Sequence, residues 1–174
     1  MEYIALFRGI NVGGNKKIEM KKLKVLFEAS GCINVSTYIN SGNVFFESAE
    51  SKENILVKVE TSLKKEFGFD IPVLIKTKLE IKKIANAIPK TWQNDDEHKT
   101  DVAYLFKDID SEEILDILPI KKEFIDIRYV GGAIIWNVKR SNFNKSHLAK
   151  IVSHKSYQSM TVRNVNTARY LAEN

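Results

Sequence analysis

Residues 3–7 are all apolar, and Ile10 follows the interruption at Arg8-Gly9, so residues 2–10 predict a buried strand. Residues 11–17 break the run with Gly13, Gly14 and Asn15, which is loop composition. Met20, Leu23, Phe27 and Ser30 recur at helical spacing with Leu26 beside them, and Gly31 supplies a stop, so 20–30 predicts an amphipathic helix. Ile33, Val35, Thr37 and Ile39 alternate with polar or aromatic neighbours. Ser41-Gly42-Asn43 is a turn, and Val44, Phe45 and Phe46 open a returning strand, so 33–48 predicts a hairpin. Ile55, Val59, Leu63 and Phe67 mark one face of a long helix, and 71–77 predicts the next strand.

That order is β-α-β-β-α-β over the first 77 residues, the ferredoxin-like pattern. It recurs. Ile81, Ile84, Ala85 and Ile88 mark a connecting helix that Pro89 ends, and 95–100 is polar loop. A strand over 101–107, a helix over 111–118 and a hairpin over 123–138 around Gly131-Gly132 follow. A helix over 144–153 with Leu148, Ile151 and Val152 inward, a strand over 159–162 and a helix over 166–172 close the chain. The fold class is α+β: two ferredoxin-like (α-β plait) units in tandem, with antiparallel sheets and helices packed on one face. The boundaries read as 1–77, a connector over 78–100, and 101–174.

This topology has a geometric consequence. Strands one and two run parallel with strand three antiparallel between them, so the loop after strand one and the first hairpin turn lie at the same end of the sheet. Those segments are the most polar and glycine-rich stretches of the first half: Arg8 to Lys17, and Asn40-Ser41-Gly42-Asn43. Glycines let backbone N–H groups approach an anion, Arg8 offers a planar fork, and Lys16 and Lys17 add charge. The candidate ligand set is Arg8, Asn11, Gly13, Gly14, Asn15 and Lys16, with Asn40, Ser41 and Asn43 from the hairpin. The same residues also read as ordinary turn chemistry, with Gly42 accepting positive φ.

Composition narrows the classes. The chain has 174 residues, 44% hydrophobic and 28% charged, which is globular rather than disordered. No apolar run approaches a membrane span, so no membrane partner is expected. The first residues lack the basic and apolar regions of a secretory signal, and the single Cys32 suits a reducing cytoplasm, so a cytoplasmic location is expected. The net charge is +5, unevenly spread. Residues 93–126 carry eleven acids, whereas after Trp136 seven basic residues face Glu173 alone, and Lys16, Lys17, Lys21, Lys22 and Lys24 form a second basic group. Such charge serves solubility, and equally attraction of an anionic ligand or non-specific contact with nucleic acid.

Several motifs approach a pattern and fail it. Gly9 and Gly14 have P-loop spacing, but Asn15 stands where Lys is needed and Lys16 where Ser or Thr is needed. No G-x-G-x-x-G is present. Against the third-strand signature of RNA-recognition domains, the stretch from Ser41 to Ser48 keeps Gly42 and Phe45 but lacks the leading basic residue and two aromatics. His98, His147 and His154 have no spacing that completes a metal site, and Cys32 has no companion, so neither metal nor cofactor is expected. Asp95 and Asp96 read as solvated, and Trp92 and Trp136 as packing residues. No nucleophile or general base stands out, so the sequence names no reaction. Near the C-terminus, Asn164 or Asn166 reads as a helix cap, and Arg163 and Asn164 are further candidates for the ligand.

Three stretches together resemble the bacterial family catalogued as domain of unknown function 1697: Ala5 to Gly14, Thr37 to Val44, and Met160 to Thr167. In the third, Val165 stands where that family commonly has an aromatic. The resemblance spans nearly the whole chain and implies two α-β plait units. It implies no activity. A small anionic ligand, a nucleotide or phosphorylated metabolite, is the expected partner of the two-loop site. A structural or protein-interaction module is the alternative.

Overall fold

The computed structural model describes residues 1–13 and 16–174. The chain divides into two compact units, Met1–Leu79 and Glu80–Asn174.

The first unit contains β1 (Glu2–Phe7), α1 (Met20–Ala29), β2 (Ile33–Tyr38), β3 (Asn43–Glu47), α2 (Lys52–Phe67) and β4 (Val73–Thr77). Its sheet order is β2-β3-β1-β4 with every pairing antiparallel. Strand periodicity sends Tyr3, Ala5 and Phe7 of β1, with Val44 and Phe46 of β3, into one core with Leu23 and Phe27 of α1 and Ile55, Val59 and Leu63 of α2. Phe27 sits 5.0 Å from Phe46 and 6.1 Å from Phe7, ring centre to ring centre, in tilted arrangements that aromatic quadrupoles favour. The core aromatics of strands one and three therefore pack under the helices. Phe45, on the opposite face, carries the Lys78 ammonium 5.7 Å from its ring centre.

Local chemistry sets the ends of α2. The Ser51 hydroxyl accepts from Asn54 N–H, and Gly68 in the left-handed region donates to Lys64 O at 2.9 Å. β1 stops three residues earlier than the periodicity predicts, because Gly9 and Asn11 take φ of 70° and 55°, which no strand continues. Ile10 stays buried although it has left the strand.

The second unit begins in the helix α3 (Lys78–Asn86) and continues through β5 (His98–Leu105), α4 (Ile114–Ile117), β6 (Asp126–Val130), β7 (Ala133–Lys139), β8 (Met160–Asn164) and α5 (Val165–Glu173). Its sheet order, β6-β7-β5-β8, repeats that of the first unit strand for strand. Two tandem ferredoxin-like units with antiparallel sheets are thus the architecture. Leu105, Ile134, Trp136, Val138 and Met160 pack with Ile114, Leu118, Leu148 and Ile151. Trp136 is a packing residue with a polar anchor: its Nε1 donates to Asp101 Oδ2 at 3.2 Å, and Lys99 pairs with the same carboxylate at 3.0 Å.

The helix expected over 144–153 is not α-helical. One 3-10 turn, Leu148–Ser153, stands in its place, flanked by two others at Arg140–Asn142 and Lys155–Ser159. The cause is local. His147 adopts φ 59°, and the buried Ser146 turns its hydroxyl to Phe143 O at 2.7 Å and its carbonyl to Lys121 N–H at 2.9 Å. Leu148 and Ile151 point inward as their spacing predicts, whereas Val152 is exposed. The helix expected over 111–118 shrinks to the single turn of α4, and β5 starts at His98 rather than 101. Among the described residues, no helix is long and apolar enough to cross a membrane.

Candidate functional site

The two loops of the first unit meet. Phe7 N–H donates to Gly42 O at 2.9 Å, which ties the end of β1 to the hairpin turn. Asn11 then joins the loops through its side chain. Its Nδ2 donates to Asn40 O at 2.8 Å and to Ile18 O at 2.9 Å, and its Oδ1 accepts from Ile18 N–H at 2.8 Å. Its own N–H reaches Lys16 O at 3.2 Å. Asn11 is therefore a clasp: the amide mimics a peptide pairing with Ile18 while reaching across to the hairpin. Its left-handed backbone is one that asparagine accepts more readily than most residues.

A third segment, which the sequence reading missed, completes this end of the sheet. Arg8 N–H donates to Pro72 O at 3.0 Å, and Lys16 Nζ lies 3.5 Å from Asp70 O and 5.2 Å from the Phe69 ring centre. The signal was available. β4 runs antiparallel beside β1, so the residues leading into β4 must arrive where β1 ends.

The candidates differ in what they offer. Arg8 is half-buried directly after β1, and Lys16 and Lys17 are exposed. Gly13 is exposed at φ 62° with open space around it. Asn40 is exposed, and its carbonyl accepts from Asn11. Asn43 is fully buried and donates from Nδ2 to Tyr38 O at 3.0 Å and Ser41 Oγ at 3.2 Å, so its amide hydrogens hold the turn. Gly42 is required by packing. A Cβ there, at φ 79°, would lie 2.6 Å from both Phe7 Cβ and Ile10 Cδ1. Ile39 enters the same turn at φ 48°, a strained conformation for a β-branched residue. Gly14 and Asn15 lie outside the described residues.

Arg163 and Asn164 belong to the second unit. Asn164 caps α5, its Oδ1 accepting from Thr167 N–H at 2.9 Å. Arg163 is 6% exposed and donates to Thr161 Oγ1 and Val162 O, both at 2.9 Å. Burial pulls its guanidinium down to about 10, opposed by Tyr104. Burial pushes the Tyr104 phenol above its ordinary range, opposed by Arg163, and the hydroxyl has no hydrogen-bond partner among the described residues. Arg169 bonds to Trp92 O at 2.9 Å, Pro89 O at 3.3 Å and Gln93 Oε1 at 3.1 Å, holding α5 to the connector.

The repeated topology provides an internal comparison. In the second unit Leu105 N–H donates to Gly132 O at 2.9 Å and Phe106 N–H to Ser159 O at 2.9 Å, the counterparts of the Phe7 and Arg8 bonds. The side chains around them have the opposite charge. Asp110 Oδ1 accepts from Gly132 N–H at 2.7 Å and from the Tyr129 hydroxyl at 2.9 Å, and Asp108 accepts from Ser159 Oγ. One unit thus fills its turn with its own carboxylate, and in the other Arg8, Lys16 and Lys17 belong to the loop that Asn11 ties to the equivalent turn.

Asp95 is not merely solvated. Its Oδ1 accepts from His98 N–H at 2.7 Å and Glu97 N–H at 2.9 Å, and these bonds hold its carboxyl below the usual range. Among the described residues, no group of three or more His, Cys, Asp or Glu side chains is placed to hold a metal ion. Open grooves of about 530 Å³ and about 460 Å³ lie along α1 and α2 and along α3 and α5, and neither is lined by the loop-end residues.

The whole chain is similar to a solved structure, the conserved bacterial protein SP0830 from Streptococcus pneumoniae, at 25% identity and a TM-score of 0.85, over 99% of this chain and 97% of that one. No curated protein matches the chain in sequence. A family model described as "Protein of unknown function (DUF1697)" matches residues 1–136, which contain the clasped loops, the first six strands and the start of β7. The chain belongs to that family.

Proposed function

We propose that the loop end of the first unit binds a small anionic ligand, a nucleotide or a phosphorylated metabolite. The observation that carries this reading is the Asn11 clasp. It fixes the 8–18 loop against the hairpin turn, so Arg8, Lys16 and Lys17 gather at one end of a rigid sheet. The second unit supports it by contrast, because there the protein's own Asp110 carboxylate sits on the equivalent turn. Positive charge beside glycine-rich backbone is the chemistry that holds phosphate or carboxylate. The sequence names no nucleophile or general base there, so the reading is binding.

The test is a thermal-shift titration with nucleotides, phosphorylated metabolites and inorganic phosphate. A ligand that binds only the folded state raises the melting temperature with dose, by an amount set by its concentration relative to Kd. Arg8→Ala is expected to lose that shift while keeping the backbone bond to Pro72. No shift with any anion would sink the proposal, and a large drop in unliganded stability would make Arg8 a structural residue. A polyanion is distinguished by salt: nucleic-acid binding through these lysines would fall steeply as salt rises.

A further inference from the structure

The groove between α1 and α2 is built of two materials. It is lined by the apolar Val25, Leu26 and Ala29 of α1 and by the polar Lys21, Lys22, Ser62, Lys65 and Glu66. Val25 is 62% exposed. Lys22 reaches Glu66 only at 3.9 Å, while Lys21 and Lys65 have no acidic partner among the described residues. Around the groove, residues 16–24 carry five lysines and one glutamate. This face calls for an apolar side chain within an acidic surround.

The same chain carries one. Residues 107–126 hold seven acids and three lysines. At their centre α4 exposes Ile117 (52%) beside Asp116, with Glu112 and Glu113 in the preceding turn. Among the described residues only Asp116 has an ion-pair partner there, Lys122 at 2.8 Å. Each unit thus exposes an aliphatic side chain in a field of one sign, and the two signs are opposite.

We infer that the α1–α2 groove of one copy docks the acidic α4 turn of a second copy, with Ile117 seated over Val25 and the acids facing Lys21 and Lys65. The two surfaces differ, so the contact is head-to-tail and every open assembly keeps one groove and one acidic turn unused at its ends, unless a ring closes. The contact is small and charged, so it is weak, fast and salt-sensitive.

Sedimentation of the purified chain across roughly 0.01–1 mM protein tests it. Wild type is expected to associate progressively at low salt, with the association constant falling about tenfold or more when salt is raised towards 1 M. Val25→Asp blocks the groove and Ile117→Lys blocks the acidic turn, both at exposed positions. Each variant alone is expected to remain monomeric. A 1:1 mixture restores one good groove and one good turn, and is expected to give a dimer that grows no further. Lys65→Glu and Glu113→Lys repeat the pair should either substitution disturb folding. A wild type that stays monomeric throughout overturns the inference, whatever acidic segment of another protein the groove then accepts. So does association that survives both single variants, or a mixture that fails to pair.

Discussion

Asn11→Ala removes three hydrogen bonds at once: those from Nδ2 to Ile18 O and Asn40 O, and that from Ile18 N–H to Oδ1. A typical intramolecular bond contributes about 1 kcal/mol net. Asn11 is half-buried, so water recovers part of the loss, and about 2 kcal/mol is the expected share from hydrogen bonding. The backbone adds to it. At φ 55° an alanine costs about 1 kcal/mol that asparagine largely avoids. The total is about 3 kcal/mol for Asn11→Ala and about 2 kcal/mol for Asn11→Gly, which accepts the left-handed conformation. Urea unfolding reads this directly. With slopes of about 1–3 kcal/mol/M, the alanine variant should unfold about 1–3 M earlier and the glycine variant in between. The clasp also sets the loop positions, so both variants should lose any anion-dependent thermal shift that wild type shows. A loss below about 0.5 kcal/mol for Asn11→Ala would refute the clasp, since that is the range of an inconsequential surface change. Equal losses for alanine and glycine would refute the backbone share alone.

Two further substitutions probe packing. Tyr104→Phe deletes a buried hydroxyl that has no partner among the described residues, and should stabilise the protein by about 1 kcal/mol, because the unsatisfied group is removed and only a small void is left. Destabilisation of similar size in calorimetry would show that the hydroxyl is bonded in solution. Gly42→Ala places a Cβ 2.6 Å from Phe7 and Ile10 at φ 79°, so it should cost about 2–4 kcal/mol in denaturant unfolding and open the hairpin away from the loop. A variant as stable as wild type would mean that the turn relaxes freely.

Much of this molecule is legible in its pattern of apolar residues. Period-two alternation in β1 and β3, and 3.6-residue spacing in α1 and α2, follow from burial of one face, which needs no knowledge of partners. The helix ends at Ser51, Gly68 and Asn164 are equally local, because a cap bonds to backbone within three or four residues. The plait topology then brings the 8–18 loop and the 40–43 turn to one end of the sheet. Val152 and the segment 140–159 were not legible. Helical spacing is present there, but the buried Ser146 and the left-handed His147 override it through bonds to Phe143 and, across 25 positions, Lys121.

The same division runs through the candidate site. Sequence alone determined which residue types gather there, because glycine, asparagine, arginine and lysine cluster in two short stretches. Only the tertiary structure decided their tasks. Asn11 and Asn43 are both asparagines in polar turns, yet one clasps two loops and the other is sealed inside its own turn. Arg8 and Arg163 both look like anion forks, yet one is half-buried at a loop end and the other is enclosed in the second unit. Side-chain chemistry is written residue by residue. Whether a donor meets solvent, a carbonyl or a ligand depends on segments tens of positions away, as Asn40 and Pro72 do for this loop, and chain order does not encode that until the sheet has formed.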